Sequence, residues 1–205
     1  MNSASANRLT VGLTGASGAI YAIRTLRALL MSDLRVDLIV SETGWMLLRD
    51  EGGFDGKRND FKAYLESQFE EDGLVGSLEV HQQADFAAPI SSGSVDSLGM
   101  VIVPCSMRYL AGVANGTSTN LIERAADVTL KEHRRLVLVT RETPMNLVQL
   151  RNQVAAAEAG AVILPASPAF YQEPQSFEDL ADFIAGRILN LFGIPHELFP
   201  TWRGE

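Results

Sequence analysis

The chain has little of the chemistry that marks disulfide-bonded, metal-binding or membrane proteins. One cysteine, Cys105, excludes an intrachain disulfide. The three histidines, His81, His133 and His196, are scattered without the spacing of metal ligands. No apolar run approaches the roughly 20 residues that cross a bilayer, and the start lacks the basic and then apolar pattern of a signal peptide. We therefore expect a cytoplasmic protein that needs no metal and no membrane.

Positive charge is also scarce, since 17 Lys and Arg residues face 25 Asp and Glu residues, for a net charge of -8. This balance argues against a nucleic-acid partner, because any phosphate must be held by local cations against the overall field. The hydrophobic fraction of 46% over 205 residues is enough for one core. We expect a flexible tail over residues 1–8, then a single domain over 9–205 with a C-terminal extension.

Short apolar runs alternate with amphipathic segments along the chain, which predicts an α/β fold. The runs are continuous, as in strands buried on both faces, so we expect one doubly wound domain with a mostly parallel sheet. Predicted strands cover residues 8–14, 36–40, 99–103, 136–140 and 161–165. Predicted helices follow the first glycine turn and cover 45–50, 61–69, 107–114, 119–133, 144–159 and 177–192.

A turn of small residues, Thr14 to Ala19, joins the first strand to the first helix. Free N–H groups at such a helix start favour a phosphate, which predicts nucleotide or flavin binding, although the glycines could serve packing alone. Ser17 replaces the second glycine of the dinucleotide fingerprint, and no Lys-Ser/Thr pair follows. Ser41 ends the second strand beside this turn. Glu42 is the alternative ribose-binding acid of a nicotinamide enzyme.

Arg141-Glu142-Thr143-Pro144 directly follows the apolar run 136–139. Parallel sheets bind ligands at such strand ends, so we expect a phosphate-binding cation and a proton-handling carboxylate here, with Pro144 in the first turn of a helix. At the end of the strand before it, Ser106 is predicted to contact ligand or cap a helix. Its neighbour Cys105 is predicted to be a buried, inert thiol.

Arg124 and Lys131 are seven residues apart on one predicted helix and therefore share a face, with Asn120 one turn before Arg124. Because this helix leads into the strand that ends at Arg141, both cations are expected to point at the same ligand edge. The alternative is a solvated stripe in which they pair with Glu123 and Asp127.

Five segments in this order resemble the flavin prenyltransferases, the UbiX and phenylacrylic-acid-decarboxylase-associated family. They are 15–19, 103–107, 120–132, 141–144 and 168–171, and the resemblance extends from about residue 9 to Trp202. It implies a Rossmann-like or flavodoxin-like subunit that binds FMN and forms a homododecamer. It also implies prenylation of reduced FMN at N5 and C6 from dimethylallyl monophosphate. The product would serve a UbiD-type decarboxylase in ubiquinone biosynthesis or aromatic acid decarboxylation.

The resemblance also assigns roles to individual residues. Those matched to FMN binding are Gly15, Ala16, Ser17, Ser41, Ser106, Met107, Arg108, Tyr109 and Arg141. Those matched to binding of the prenyl phosphate are Ser92, Gly93, Arg124, Lys131, Tyr171 and Arg187. Those matched to catalysis are Glu51, Lys131, Glu142 and Trp202.

Three other functions remain open on the sequence. A flavin-dependent cysteine decarboxylase of the same fold would need an early histidine as a base, whereas the first histidine here is His81. A nicotinamide oxidoreductase would use Glu42. A flavin carrier would bind FMN without changing it.

Overall fold

The computed structural model describes residues 7–200, apart from the side chain of residue 71, and its centre is a six-stranded sheet. Every strand pair is parallel, so the predicted α/β class is confirmed and the mostly parallel sheet is parallel throughout these residues. The strands are Arg8–Leu13 (β1), Arg35–Val40 (β2), Ser77–His81 (β3), Gly99–Cys105 (β4), Arg135–Thr140 (β5) and Val162–Pro165 (β6).

The strand order is β3-β2-β1-β4-β5-β6, so the chain reverses its direction of travel across the sheet between β1 and β4. Open α/β sheets bind their ligands at the carboxyl ends of the strands beside such a reversal. The glycine turn follows β1 and Ser106 follows β4. The topology therefore brings these two predicted segments together.

Seven helices of the described chain cover the two faces of the sheet. They are Ala19–Met31 (α1), Glu42–Asp50 (α2), Phe61–Gln68 (α3), Met107–Asn115 (α4), Leu121–Lys131 (α5), Leu147–Glu158 (α6) and Phe177–Phe192 (α7). Buried side chains of α1, α2, α3 and α7 join one apolar core, and those of α4, α5 and α6 join the other. Burial of helical stripes on both faces explains why the strands are continuously apolar.

One strand was missed and two sequence predictions need correction. The edge strand β3 was not predicted, because its five residues alternate between exposed and more buried side chains. Pro144 does not begin a helix, since α6 starts at Leu147 and is capped by Asn146, whose side chain accepts the Gln149 N–H at 3.0 Å. The tail does not include Arg8, which opens β1 and binds the Asp37 carboxylate.

Beyond α7 the chain folds back onto that helix. A Cβ atom on Gly186 would lie 2.3 Å from the Phe199 ring and 2.7 Å from the His196 ring, so glycine permits the contact. Within residues 7–200, no helix combines the length and the apolar character needed to traverse a bilayer.

Candidate active site

A buried threonine ties the ends of the two central strands together. The Thr14 hydroxyl donates to the Pro104 carbonyl at 2.7 Å and accepts the backbone N–H of Ser106 at 2.8 Å. Sequence reasoning assigned Thr14 no role. The sequence did contain a signal for this role. Thr14 is a polar residue between an apolar strand and a glycine turn, and a buried polar residue needs hydrogen-bond partners.

Glu51 occupies the start of α1, where the sequence predicted a phosphate. Its Oε2 accepts the backbone N–H groups of Gly18 at 2.7 Å and Ala19 at 2.9 Å. Burial raises the pKa of Glu51, but hydrogen bonds from these N–H groups and the Ser17 hydroxyl outweigh it and lower the pKa. An ionised carboxylate thus satisfies the first donors of the helix, and a phosphate has to use other donors or displace it.

Arg141 supplies a donor without an acceptor. Its Nε is buried and has no hydrogen-bond partner among residues 7–200. The guanidinium charge acts on Glu51 and on Tyr21, whose pKa is raised by burial and lowered to a smaller extent by Arg141. A buried unsatisfied donor on a cation is costly, and an anionic ligand relieves this cost. Arg141 therefore fits the phosphate of a flavin mononucleotide.

The remaining predicted flavin contacts lie at the same edge of the sheet. The hydroxyl of Ser41 accepts the Gly44 N–H at 3.0 Å at the start of α2, and it also interacts with Tyr109. The Tyr109 hydroxyl accepts from Gln83 at 2.7 Å, and burial raises the pKa of Tyr109. By contrast, the Ser106 side chain makes no capping bond to α4. The predicted cap is therefore not observed, and the Ser106 hydroxyl can face a ligand.

Gly15 has a structural reason to be glycine as well. A Cβ atom there would lie 2.2 Å from the Thr43 hydroxyl at the start of α2. Glu142, next to Arg141, is half-buried, and its Oε1 accepts the Thr143 N–H at 3.1 Å. We call Gly15, Ala16, Ser17, Glu51, Ser106, Arg141 and Glu142 the carboxyl-edge site.

The sequence predicted that Cys105 is a buried, inert thiol. The thiol is fully buried at the end of β4, and burial raises its pKa to about 12. A thiol in this state is a poor nucleophile at neutral pH. The predicted burial of Cys105 is confirmed, and its inertness stays a prediction.

A second group of predicted residues lies along α5. The Arg124 side chain donates to the Ser91 carbonyl at 3.2 Å and to Asp127 at 3.0 Å. Lys131 pairs with Glu132 at 2.5 Å, and a Cβ atom on Gly93 would lie 2.9 Å from the Lys131 Nζ. We call Ser92, Gly93, Arg124 and Lys131 the α5 cluster.

Within one chain Lys131 does not reach the carboxyl-edge site. Lys131 ends α5 just before β5 begins at Arg135, whereas Arg141 follows the other end of that strand. Six strand residues separate the two edges by about 20 Å. Lys131 therefore does not lie at the ligand edge of its own chain, contrary to the prediction, because a helix before a parallel strand ends at the strand's amino end. Arg124 lies in the first turn of α5, at the other end of the helix, and its predicted direction toward the ligand edge stays a prediction.

Tyr171 and Arg187 lie on the opposite face of the sheet from α5. The Tyr171 ring meets Phe183 of α7 edge-on at 6.3 Å, and Arg187 is exposed one turn further along that helix. Asp182, five residues before Arg187 on α7, is bound by Arg24. We call Tyr171 and Arg187 the α7 pair. Trp202 lies outside the described residues.

The cysteine decarboxylase and the nicotinamide oxidoreductase gain no support from the side chains that each would need. His81 is buried and bonded to Asp37 at 2.7 Å, so it is not a free base. Asp37, Glu79 and His81 form the one group of possible metal ligands found within residues 7–200, but Arg8 binds both Asp37 carboxylate oxygens. Glu42, the predicted ribose acid, pairs with Arg58.

Comparison with known proteins places this geometry in a family. The Flavoprotein family model matches residues 2–189. The flavin prenyltransferase UbiX of Halalkalibacterium halodurans is 46% identical over 96% of this chain and 93% of its own length.

Two solved structures are similar throughout. The complex of AnUbiX (PadA1) with FMN and dimethylallyl pyrophosphate has a TM-score of 0.86 and 40% identity, covering 98% of this chain and 99% of its own. The dodecameric FMN-dependent UbiX-like decarboxylase of Escherichia coli O157:H7 has a TM-score of 0.83 and 35% identity, covering 96% and 100%. The chain therefore belongs to the flavoprotein family and, within it, to the UbiX flavin prenyltransferases.

Proposed function

We propose that this protein transfers the dimethylallyl group of dimethylallyl monophosphate to N5 and C6 of reduced FMN. The observation that carries the proposal is the buried Nε of Arg141, which has no partner among residues 7–200 and lies beside the strand reversal. Full-length similarity to flavin prenyltransferases supports the assignment of this anion site to the flavin phosphate.

The carboxyl-edge site would hold the flavin. Arg141 would bind its phosphate, while the backbone of Gly15, Ala16 and Ser17 allows close approach of the ring system. Ser41 and residues 106–109 would complete the contacts from the neighbouring strand ends. The bound flavin supplies the nucleophilic N5 and C6 positions.

The prenyl phosphate would be held by the α5 cluster of one chain and the α7 pair of another. These groups lie on opposite faces of the sheet, so a single chain does not bring them together. Association has a candidate surface, because α6 and the residues just before it expose large apolar side chains: Met145, Leu147, Val148, Leu150 and Val154. We propose a homo-oligomer, and the E. coli relative supports a dodecamer.

The chemistry requires departure of phosphate as the N5–carbon bond forms. Closure of the second bond, at C6, uses the prenyl double bond, so a proton must be added to that double bond and the proton on C6 must be lost. Arg124, Lys131 and Arg187 would balance the charge that develops as the carbon–oxygen bond of the substrate breaks, with a hydrogen bond from Tyr171. These donors fulfil the role that a metal has in other prenyl transfers. Glu142 would accept the proton displaced from C6, and Trp202 would shield the allylic carbon from water. Glu51, held as an anion by α1, is better suited to accepting hydrogen bonds than to donating a proton.

The product would pass to a UbiD-type decarboxylase in ubiquinone biosynthesis or aromatic acid decarboxylation. That recipient and a cytoplasmic location stay predictions. The decisive test of the enzymatic function is anaerobic incubation of the protein with reduced FMN and dimethylallyl monophosphate. Mass spectrometry should find a flavin heavier by one five-carbon prenyl unit, and recovery of unmodified FMN alone would reject prenyl transfer in favour of a carrier.

A further inference from the structure

We propose that Arg134 is a positioning residue that holds the substrate-binding loop 91–95 in the shape needed for phosphate binding. The inference rests on the proposed function, which places Ser92 and Gly93 at the prenyl phosphate. Arg134 is half-buried between α5 and β5. Its Nη2 donates to the Gly93 carbonyl at 2.9 Å and its Nη1 to the Val95 carbonyl at 2.6 Å.

The loop is fixed along its length by cations. Arg124 donates to the Ser91 carbonyl at 3.2 Å, so two guanidinium groups hold three of the loop's carbonyl oxygens. The loop adds a turn of its own, in which the Val95 N–H donates to the Ser92 carbonyl at 3.4 Å. A loop that binds a small anion through its backbone loses less entropy when it is already in the bound shape.

The position of the loop also sets the surroundings of Lys131. Gly93 lies directly against the Lys131–Glu132 ion pair, because a Cβ atom there would be 2.9 Å from Lys131 Nζ and 2.0 Å from Glu132 Oε1. A shift of the Gly93 backbone would therefore change the space between this cation and the loop. Arg134 controls that space without lying in it, since both of its carbonyl bonds point at the loop.

The geometry requires the arginine fork. Two donors in one plane reach two carbonyls two residues apart, whereas a lysine ammonium is a point charge and cannot reproduce both bonds in the same directions. The neighbouring Arg135 is the natural control, because it has the same charge but is exposed at the start of β5.

The test compares Arg134→Gln, Arg134→Lys and Arg135→Gln in the full-length protein. In both Arg134 variants we expect KM for dimethylallyl monophosphate to rise about tenfold, as for loss of charge-assisted hydrogen bonds, while FMN affinity and kcat stay within about twofold. Arg135→Gln should match the wild type. An unchanged KM in Arg134→Gln, or full rescue by lysine, would overturn the proposal, since rescue would mean that charge alone matters.

A second measurement separates this inference from the proposed function. Without ligands, amide hydrogen exchange of residues 92–95 should be faster in Arg134→Lys than in the wild type and in Arg135→Gln, with helix α7 unchanged. Equal exchange in all three proteins would reject the positioning role. If the wild type forms no prenylated flavin, the proposed function fails, yet the exchange result still decides whether Arg134 holds the loop.

Discussion

The carboxyl-edge site and the α5 cluster both present cations for phosphate, but their cations are in different states. The Arg141 Nε is buried and has no partner within residues 7–200. Arg124 and Lys131 are more exposed, and each already pairs with a carboxylate, Asp127 or Glu132. One chain thus has an unpartnered buried cation at the strand ends, whereas the charges of Arg124 and Lys131 are already balanced by carboxylates.

The difference follows from topology. Residues after neighbouring parallel strands meet at one edge, so the carboxyl-edge site needs nothing beyond correct folding of the sheet. Arg124 and Lys131 lie on α5 and Arg187 lies on α7, and these helices cover opposite faces of the sheet, so the proposed prenyl phosphate site needs a second chain. Binding of flavin and binding of prenyl phosphate should therefore be separable by mutation.

Replacement of Lys131 by methionine should have the largest effect and should leave flavin binding intact. Loss of one preorganised charge at the departing phosphate should lower kcat/KM for dimethylallyl monophosphate by about 100- to 1,000-fold. Steady-state prenylation assays and FMN titration check the two halves of this prediction. Lys62→Met, at an exposed lysine on α3 that pairs with Glu66, is the matched control. Weakened FMN binding in Lys131→Met would show that the two regions do not bind FMN and prenyl phosphate separately.

Arg141→Met should show the reverse pattern. Removal of a buried charge-assisted donor should raise Kd for FMN by about 10- to 100-fold, measured by flavin fluorescence. At saturating FMN, KM for dimethylallyl monophosphate should stay within about twofold of the wild type. A Kd unaffected by Arg141→Met would show that the buried Nε is not the flavin phosphate site.

Glu51→Gln should have the smallest effect, on stability and its pH dependence. Because hydrogen bonds lower the pKa of Glu51 in the folded protein, its contribution is present above the unfolded pKa near 4.3 and is lost as pH falls through the folded value. At pH 7 we expect the variant to be less stable by about 0.5 kcal/mol, a modest value because the exposed carboxylate is screened by solvent. Denaturant unfolding at pH 7 and pH 3 should show that this difference disappears in acid. The control Asp50→Asn should show no such pH-dependent difference from the wild type.

Much of the fold was predictable because the buried strands are apolar and the helices between them have clear periodicity. The edge strand β3 escaped prediction, since an edge strand buries only part of its surface and Ser77 and Glu79 are exposed. Pro144 was misplaced because its spacing allowed a helix start, whereas Asn146 and Gln149 form the actual capping box.

The sequence indicated which residues belong to the candidate site better than it indicated where they lie. Arg141 and Ser106 follow adjacent strands, so their proximity came from the βα pattern. The location of Lys131 required an additional step, since a helix that precedes a parallel strand runs toward the amino edge. Glu51 directly follows α2, and its carboxylate accepts the N–H groups at the start of α1. No local sequence pattern indicates such a contact.

In the proposed oligomer, the α5 cluster of one chain and the α7 pair of another form one prenyl phosphate site. Lys131→Met and Arg187→Met should each be nearly inactive alone, and co-expression should produce mixed oligomers that regain activity. If two chains contribute to each site and mix at random, about a quarter of the sites would have both wild-type groups. Homo-oligomers mixed only after assembly are the control. Activity of the co-expressed protein no higher than that of this control would rule out a prenyl phosphate site shared between two chains.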